Sequence, residues 1–279
     1  MFPLIRFSYY YFNSFNFILP LPNLKADIIN NFIITIPSLP VQAEIVRILD
    51  KFTELIAELT KELNLRKKQY AYYRDELLTF GDNVPRVALG DICKIIRGSG
   101  LQKSDFTQSG VGCIHYGQIY TYYGTFSYET KSFVSSELAL KLKKVNTGDI
   151  IMAITSENME DVCKCVVWLG ENEIVTGGHT AIIKHNQNPK YMAYYFQTEA
   201  FFKQKIKIGQ GVKVIEVSNK KLENVVIPLP PLSEQSRIVA ILDRFEALTN
   251  DLINGLPAEI ALRKKQYEYY RDKLLTFNS

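Results

Sequence analysis

The sequence has few of the residues from which metal centres and disulfide frameworks are built. It contains three histidines, His115, His179 and His185, and four cysteines. The step from Cys163 to Cys165 is poor spacing for zinc, and no cysteine spacing suggests a disulfide framework. We therefore expect no metal site and four reduced thiols, which are typical of a cytoplasmic protein.

Motifs for nucleotide and cofactor chemistry are also missing. The sequence has no Gly-x-x-x-x-Gly-Lys-Ser/Thr loop and no Gly-x-Gly-x-x-Gly after a strand. It lacks the Asn/Asp-Pro-Pro-aromatic tetrapeptide of amino-methyltransferases, although nuclease carboxylates are too loosely patterned to be excluded in the same way. These absences predict a chain that is not an enzyme, with no catalytic residue and no cofactor of its own.

Long apolar runs are absent too. Polar residues such as Ser8 and Asn13 interrupt the aromatic N-terminus and no small-residue cleavage site follows, so we expect no signal peptide. No run approaches the roughly 18 apolar residues of a membrane span, so we expect no membrane partner. The content of 47% hydrophobic and 22% charged residues is typical of a globular protein, and the net charge of +4 permits nucleic-acid binding without demanding it.

One segment of the sequence occurs twice. Residues 65–80 return as residues 262–277, and fourteen of the sixteen positions are identical. Upstream of each, residues 45–52 resemble residues 238–245. The separation is far longer than the repeat of about 20–50 residues in a solenoid. The two copies therefore indicate a duplicated module with a different segment between them.

Each copy has the apolar spacing of a long amphipathic helix. In the first copy, apolar and aromatic residues follow alternating steps of three and four from Ile45 to Leu77, with only Arg66 out of type. This heptad pattern predicts a coiled-coil seam, and a helix from Val41 to Thr79 would be about 60 Å long. The nearest partner for each seam is the other copy, so we expect an antiparallel pair. A purely structural coiled coil is the alternative to a functional one.

The second copy is longer than the first. Phe52 and Arg66 are 14 residues apart, whereas their counterparts Phe245 and Arg263 are 18 residues apart. Four extra residues are a stutter, which locally unwinds a coiled coil. Because a glycine and Pro257 lie in this stretch, we expect a kink or a break there.

The segment between the copies, residues 85 to 227, has the pattern of a mixed domain. Turn residues bound strand-like runs at residues 92–97, 150–154, 163–168 and 180–184. A helix is expected from Pro189 to Ile206, with its aromatic residues on the buried side. We therefore predict an α+β fold, in which one globular mixed domain is flanked by two long helices that pack as an antiparallel coiled coil.

Lysines are concentrated near the end of this domain. Residues 203–221 contain six lysines and one acid, Glu216. Lys205, Lys207 and Lys213 lie around a Gly-Gln-Gly turn, where backbone N–H groups can approach a phosphate closely. These lysines are predicted to contact DNA phosphates, and the alternative is a solvated helix end.

Base reading needs hydrogen-bond donors and acceptors on loops that can enter a groove of DNA. The candidates are Arg97, Ser99, Gln102, Lys103, Gln118, Tyr120, Tyr122, Ser156, Glu157, Asn158, His179 and Lys213. Most of them sit beside turns. The alternative for each one is an ordinary polar residue of the protein surface.

Taken together, these segments resemble the specificity (S) subunits of type I restriction–modification systems. The resemblance rests on residues 222–243, which include Pro-Leu-Pro-Pro-Leu-Ser-Glu-Gln, and on the two helices with Arg-Lys-Lys-Gln-Tyr and Tyr-Arg-Asp. The domain opening Val-Ala-Leu-Gly-Asp-Ile at residues 87–92 also fits, as do residues 148–154 and 209–212. The resemblance covers nearly the whole chain.

The resemblance implies a division of labour between subunits. In this family, two target-recognition domains alternate with two conserved helical regions, and each domain reads one half of a split site. The helices act as a spacer and dock methyltransferase subunits. The implied partners are therefore double-stranded DNA, methyltransferase (M) subunits and a restriction (R) subunit, and S-adenosylmethionine, ATP and Mg²⁺ would belong to those subunits. The implied partner-binding residues are Tyr70, Tyr73, Leu77, Tyr267, Tyr270 and Leu274.

The chain departs from the family pattern near its N-terminus. Residues 24–34 line up with residues 217–227, and Tyr10 matches Tyr194. Residues 1–35 therefore resemble the tail of a first recognition domain whose front is missing. The parts expected along the chain are this remnant at 1–35, a first spacer helix at 36–80, a recognition domain at 81–227 and a second spacer helix at 228–279.

This organisation leaves several functions open. One chain would read half of a bipartite site, and a second copy of the chain would restore two domains in a symmetric pair. A scaffold that does not bind DNA, a silent recombination cassette and an inactive fragment are the alternatives.

Overall fold

A computed structural model describes Arg6, Tyr10 and residues 36–250 and 255–276. Its contacts divide the chain into two compact units, Met1–Lys67 with Ala247–Ser279, and Lys68–Glu246. The predicted boundaries after residues 35, 80 and 227 remain predictions. The predicted remnant at residues 1–35 lies outside the described residues apart from Arg6 and Tyr10.

The described helices are α1 (Leu39–Leu77), α2 (Leu89–Ile92), α3 (Tyr116–Thr121), α4 (Ser136–Ala139), α5 (Pro189–Tyr195), α6 (Glu199–Ile208), α7 (Asn219–Glu223), α8 (Leu232–Asn250) and α9 (Leu256–Leu275). The described strands are β1 (Arg86–Ala88), β2 (Cys93–Arg97), β3 (Val111–Ile114), β4 (Phe126–Ser127), β5 (Ser132–Val134), β6 (Lys143–Val145), β7 (Ile150–Ala153), β8 (Thr155–Ser156), β9 (Cys165–Trp168), β10 (Ile174–Thr176), β11 (Thr180–His185), β12 (Ile215–Glu216) and β13 (Val226–Pro228). The mixed α+β fold that the sequence predicts is confirmed.

Two sheets form the centre of the Lys68–Glu246 unit. The larger has the strand order β2-β11-β7-β9-β4, and the smaller has the order β5-β3-β10-β6. Strand β7 is buried on both faces, because Ile150 and Met152 pack in one hydrophobic cluster while Ile151 and Ala153 pack in another. Alternate side chains of a strand point to opposite faces. The uninterrupted apolar run of β7 is therefore the sequence of a central strand.

The region after β11 differs from the sequence prediction. One helix was expected from Pro189 to Ile206, but α5 and α6 are separate helices. The side chain of Thr198 accepts a hydrogen bond from the N–H of Phe201 and so caps the start of α6. A threonine in this capping role satisfies a backbone N–H that has no partner within the helix. The prediction of a single helix was wrong for this reason.

In the first unit, the helices of the two repeat copies pack against each other. Ile45, Leu49 and Leu275 share one buried cluster, and further along α1 the ring of Phe52 stacks on that of Tyr270 at 5.4 Å. Higher residue numbers on α1 thus meet lower numbers on α9. The two segments are antiparallel, as the heptad pattern predicts.

The second unit contains the matching contacts with the copies exchanged. The end of α1 and the start of α8 contribute Leu78, Ile238 and Leu242 to the main buried cluster. Tyr73 stacks on Phe245 at 5.6 Å. These residues are the repeat counterparts of those that pack in the first unit. The duplicated sequence therefore forms the same antiparallel packing in each unit.

The expected break in the second copy is present. Helix α8 is described as far as Asn250, and α9 begins at Leu256 after Gly255, whose φ and ψ of −87° and −176° are extended. Pro257 lies in the first turn of α9, where its missing N–H has no helical partner to lose. The glycine and the proline thus separate the two helices, and the prediction is confirmed.

Buried tyrosines hold an aspartate of each repeat copy. In the second unit, the hydroxyl of Tyr194 lies 2.6 Å from Asp243, and Lys190 forms an ion pair with the same carboxylate at 2.9 Å. In the first unit, Tyr10 donates to Asp50 at 2.6 Å, and Arg6 pairs with that carboxylate. Burial and the Asp50 charge raise the pKa of Tyr10 to about 12. The described residues near the N-terminus therefore bind the first helix as α5 binds the second.

Replacing Tyr194 by phenylalanine removes this hydroxyl from two carboxylates, because Glu246 also accepts from it at 2.6 Å. Since Glu246 is buried and would keep only the Thr125 N–H at 3.3 Å, losing the hydroxyl donor is expected to lower the free energy of unfolding by about 1–3 kcal/mol in urea titrations. The Tyr10→Phe change should cost less, because Asp50 keeps Arg6 as a partner. Tyr269→Phe, at an exposed ring, is the control. Equal stability of the Tyr194 variant and the control would contradict a stabilising role for this bond.

Candidate nucleic-acid interface

Several of the predicted base readers come together where four segments of the second unit meet. We call this group the β8–β12 cluster and define it by Arg97, Thr155, Ser156, His179 and Glu216. Strands β8 and β12 pair antiparallel, with Ser156 opposite Ile215 and Thr155 opposite Glu216. The last residue of β2, Arg97, contributes a guanidinium to this pair of strands. The Thr155 hydroxyl lies 3.0 Å from the His179 ring, so four separate stretches of sequence form one polar cluster.

Glycines allow two loops of this cluster to touch. A Cβ atom on Gly98 would lie 1.9 Å from the carbonyl oxygen of Gly177, which is far inside van der Waals contact. A Cβ atom on Gly177 would lie 3.0 Å from the side chain of Leu101. The glycine-rich turns that the sequence analysis took as loop signals are thus required for close backbone approach.

Arg97 is fixed by two groups of the cluster. Its Nε donates to the carbonyl oxygen of Gly178 at 3.2 Å. Its Nη1 lies 2.8 Å from a carboxylate oxygen of Glu216, and both side chains are about half exposed. The guanidinium is therefore oriented by the protein while remaining open to solvent.

His179 and Tyr120 both contact Thr155 of β8. The Thr155 hydroxyl lies 3.0 Å from Nδ1 of His179, and the Tyr120 hydroxyl donates to the Thr155 carbonyl at 2.6 Å. The ring of Tyr116 lies 4.8 Å from the ring of His179. Burial raises the pKa of Tyr120 well above its usual value. Tyr120 therefore remains a neutral phenol that supports β8.

The glycine-rich turn after α6 presents exposed side chains. Gly211 has a φ of +115°, which L side chains rarely adopt, and its backbone packs against Val214. Val212 is 98% exposed, and Lys213 is exposed beside it. Lys207, in the last turn of α6, is exposed as well. These two lysines remain available to an anion.

Lys205 does not fit the predicted phosphate contact. Its side chain is only 5% exposed, and its ammonium donates to the carbonyl oxygens of Glu160 and Val162 at 3.1 and 3.0 Å. Burial lowers its pKa below the usual lysine value. We therefore correct the prediction for this residue, because its charge is used to hold the loop that precedes β9.

The other predicted readers lie in the same unit, and their side chains differ in the hydrogen bonds that they already form within the protein. Ser99 lies 3.4 Å from the Lys141 carbonyl, and Gln102 starts the exposed turn that contains Lys103. Gln118 caps α3 and donates to Ser132 at 2.6 Å, so its amide already has structural partners. These residues remain predictions for DNA contact.

Ser156 ends β8, and Asn158 lies in the loop that follows. The side chain of Asn158 donates to Asp161 at 2.9 Å and accepts from the Asp161 backbone N–H at 2.8 Å. Ser156 lies 3.4 Å from the Asn158 backbone N–H. These contacts order the loop beside the β8–β12 cluster, and DNA contact by either residue remains a prediction.

The predicted partner-binding residues mostly face the interior of their own unit. Tyr70 is buried, and Leu77 packs against the main cluster of the second unit. Tyr267 and Leu274 do the same in the first unit. Tyr73 and Tyr270, both 41% exposed, stack on phenylalanines of the other copy. The more exposed ring in each copy is the preceding one, at Tyr72 and Tyr269.

Three members of this surface were missed by sequence reasoning about the site. Thr155, Tyr116 and Glu216 join the predicted readers through backbone pairing and ring contacts that no local pattern reveals. Glu216 had one signal, since it is the single acid in the lysine-rich stretch. An isolated acid among cations indicates a specific partner, and here that partner is Arg97.

The described part of the chain contains no group of three or more metal-ligating side chains. Burial raises the pKa of each of the four cysteine thiols to about 12. A thiol with so high a pKa is a poor nucleophile and a poor metal ligand, because both roles need the thiolate. No described helix is long and apolar enough to span a membrane.

Replacing Lys205 by methionine keeps the side-chain length and removes the ammonium. The carbonyl groups of Glu160 and Val162 would then be left without this donor, so we expect faster hydrogen exchange of amides in residues 158–164. The unfolding free energy should fall by about 1–3 kcal/mol. Lys203→Met, at an exposed position of the same helix, is the matched control. Unchanged exchange in this loop would contradict the structural role.

The chain is similar to a family model and to proteins of one family. A family model described as "Type I restriction modification DNA specificity domain" matches residues 3–66 and 82–262. The chain is 35% identical to the type I restriction enzyme EcoR124I/EcoR124II specificity subunit of Escherichia coli, over 98% of this chain and 71% of that protein. It is 30% identical to a putative type I specificity subunit of Mycoplasma pneumoniae, over 92% and 91%.

The fold is similar to that of a solved relative. The crystal structure of the HsdS subunit from Thermoanaerobacter tengcongensis superposes with a TM-score of 0.56 at 20% sequence identity, covering 98% of this chain and 68% of that one. At this identity the likeness concerns the fold alone. The family model and the sequence relatives span most of the chain. The protein belongs to the family of type I restriction–modification DNA specificity subunits.

Proposed function

We propose that this chain is a non-catalytic DNA reader that directs type I methyltransferase and restriction subunits to a target site, of which its recognition domain reads one half. The observation that carries the proposal is the β8–β12 cluster. There Arg97 and His179 stand on an exposed surface beside the turn that carries Lys213. Oriented donors next to exposed cations are the combination that base readout and phosphate anchoring require.

The repeated helices support the role of a spacer. The same residues form the same antiparallel packing in each unit, as in the stacking of Phe52 on Tyr270 and of Tyr73 on Phe245. Helices fixed in this way would keep a defined distance between the elements attached to them. We propose that methyltransferase subunits bind the outward side of these helices, where Tyr72 and Tyr269 are 61% and 59% exposed.

The chemistry would then belong to the partners. S-adenosylmethionine would be bound by the methyltransferase subunits, and ATP and Mg²⁺ would be used by those partner subunits and the restriction subunit. A second copy of this chain would supply the other half of a symmetric, bipartite site. A cytoplasmic location follows from this role on DNA and remains part of the proposal.

The proposal is tested by titrating the purified chain, mixed with its cognate methyltransferase subunit, against a random-sequence oligonucleotide pool. We expect an enriched short motif in the bound fraction, and the stoichiometry would tell one recognition domain from two. A stable protein complex that enriches no motif would instead favour a scaffold or a silent cassette. Methylation or cleavage of DNA by the chain alone would contradict the non-catalytic role.

Charge reversal at the two exposed lysines tests the phosphate anchor. The double change Lys207→Glu and Lys213→Glu should weaken DNA binding for all sequences alike. Each lost phosphate contact should reduce the slope of log affinity against log salt concentration by about 0.9. The control is Lys143→Glu, an exposed lysine on β6 of the smaller sheet. A salt dependence that is the same for the wild type and the double variant would rule out this anchor.

The helix surface is tested separately from DNA binding. Tyr72→Ser and Tyr269→Ser should each weaken binding of the methyltransferase subunit by roughly fivefold or more if the rings anchor that interface. Thermal stability should change little, since both rings are exposed. The matched control is Tyr128→Ser, which removes a ring that is also 61% exposed but lies outside the helices. Equal effects of all three changes on methyltransferase affinity would show that the helix rings have no special role.

A further inference from the structure

We propose that Arg97 and Glu216 act together as a unit that reads one G·C base pair, with the guanidinium of Arg97 donating to guanine and Glu216 holding it in position. This inference rests on the proposed function and specifies part of its substrate. Arginine that donates two hydrogen bonds to O6 and N7 of guanine is the most frequent specific contact in the major groove. The arrangement around Arg97 meets the physical conditions for that contact.

The first condition is an outward-facing edge on the guanidinium. A guanidinium has five N–H donors in one plane. Nε is directed to the carbonyl oxygen of Gly178 at 3.2 Å, and Nη1 is paired with Glu216 at 2.8 Å. Among the residues that the structure describes, Nη2 has no such partner. The side chain of Arg97 is 50% exposed, so the N–H groups of Nη2 are left for a ligand.

The second condition is that the edge be held still. Arg97 ends β2, which pairs with β11 through Ala181. Glu216 lies in β12, where it pairs with Thr155 and forms a bridge to Gln210. Both partners therefore project from paired strands. A side chain ordered in this way loses less conformational entropy on binding than one that moves freely.

The third condition separates a base reader from a phosphate anchor. The carboxylate of Glu216 cancels most of the charge that Arg97 would offer to a phosphate, and it would repel the phosphate itself. Guanine O6 and N7 are neutral acceptors, so the carboxylate does not repel them in this way. The ion pair thus disfavours contact of Arg97 with the DNA phosphates. It leaves the unpaired N–H groups of the guanidinium available to guanine. Lys207 and Lys213 are exposed lysines for which no acidic partner is seen in the described residues, and they suit phosphates better.

The competing explanation is that the ion pair between Arg97 and Glu216 is purely structural. In that case the bond would only hold the end of β2 to β12. Exchanging the two charged residues would then preserve its role. The charge-swapped variant with Arg97→Glu and Glu216→Arg separates the two explanations. It keeps an ion pair between the strands but moves the guanidinium to the other strand. The matched control swaps Lys144 and Glu173, an exposed pair at 2.6 Å that involves β6 of the smaller sheet.

The experiment uses the full chain with its cognate methyltransferase subunit and the random oligonucleotide pool, together with thermal unfolding of each variant. We expect the wild-type motif to contain a G·C pair preferred by roughly 5- to 150-fold over other base pairs. The Arg97/Glu216 swap should unfold at nearly the wild-type temperature and lose the preference at that one position. The Lys144/Glu173 swap should keep the whole motif.

Two further variants give the same test without the swap. Arg97→Lys keeps the ion pair but lacks the planar fork, so it should lose the G·C preference and stay folded. Glu216→Gln should steepen the salt dependence, because Arg97 becomes available to phosphates.

Three results would overturn the proposal. In the first, the wild-type motif contains no strongly preferred G·C pair. In the second, the G·C preference persists in both Arg97 variants. Either result would make the ion pair purely structural and would leave the proposed function unaffected. A wild type that enriches no motif would overturn both.

Discussion

The part-buried bond between a tyrosine hydroxyl and an aspartate of the repeated helix is the interaction on which each unit depends. Tyr194 makes it to Asp243, and Tyr10 makes it to Asp50, in both cases beside a basic side chain. A carboxylate that is even partly withdrawn from water is unfavourable without such partners, because its charge loses part of its hydration. The hydroxyl and the cation together offset the lost hydration of the carboxylate. They also specify which segment packs on which helix.

The sequence predicts those parts of the fold that rest on local patterns, and it does not reveal contacts between distant residues such as this bond. The heptad spacing and the duplicated segment predict two long antiparallel helices, and the glycine next to Pro257 predicts the break between α8 and α9. Those features are local and periodic. The match of Tyr10 with Tyr194 was visible as an aligned aromatic, but its bond to Asp50 was not, because a contact between residues 40 apart leaves no periodic trace. The division of residues 189–208 into two helices depended on one capping hydroxyl at Thr198.

The candidate site was less predictable because its residues also meet through contacts between distant parts of the sequence. Glycine-rich turns drew attention to loops near Arg97, Ser156 and His179, since such turns are where backbones approach closely, and DNA contact by these residues stays a prediction. Charge counting failed at Lys205, because a lysine on an amphipathic helix either reaches solvent or turns inward to carbonyl groups, and composition does not distinguish the two. Glu216 was noticed only as an exception to the positive charge, although the structure makes it the partner of Arg97.

The distribution of charge over this surface separates two tasks that DNA-binding proteins must perform. Lysines in the glycine-rich turn and at the end of α6 offer unneutralised charge, which attracts any DNA and carries no sequence information. Arg97 carries a neutralised charge in a fixed orientation, which in the proposed role would contribute little general attraction and much discrimination. Lys205 serves neither task directly, but it orders the loop that follows Ser156 and Asn158. A recognition domain built in this way can change its target through a few oriented side chains while its general affinity for DNA, and the helices that hold it, stay the same.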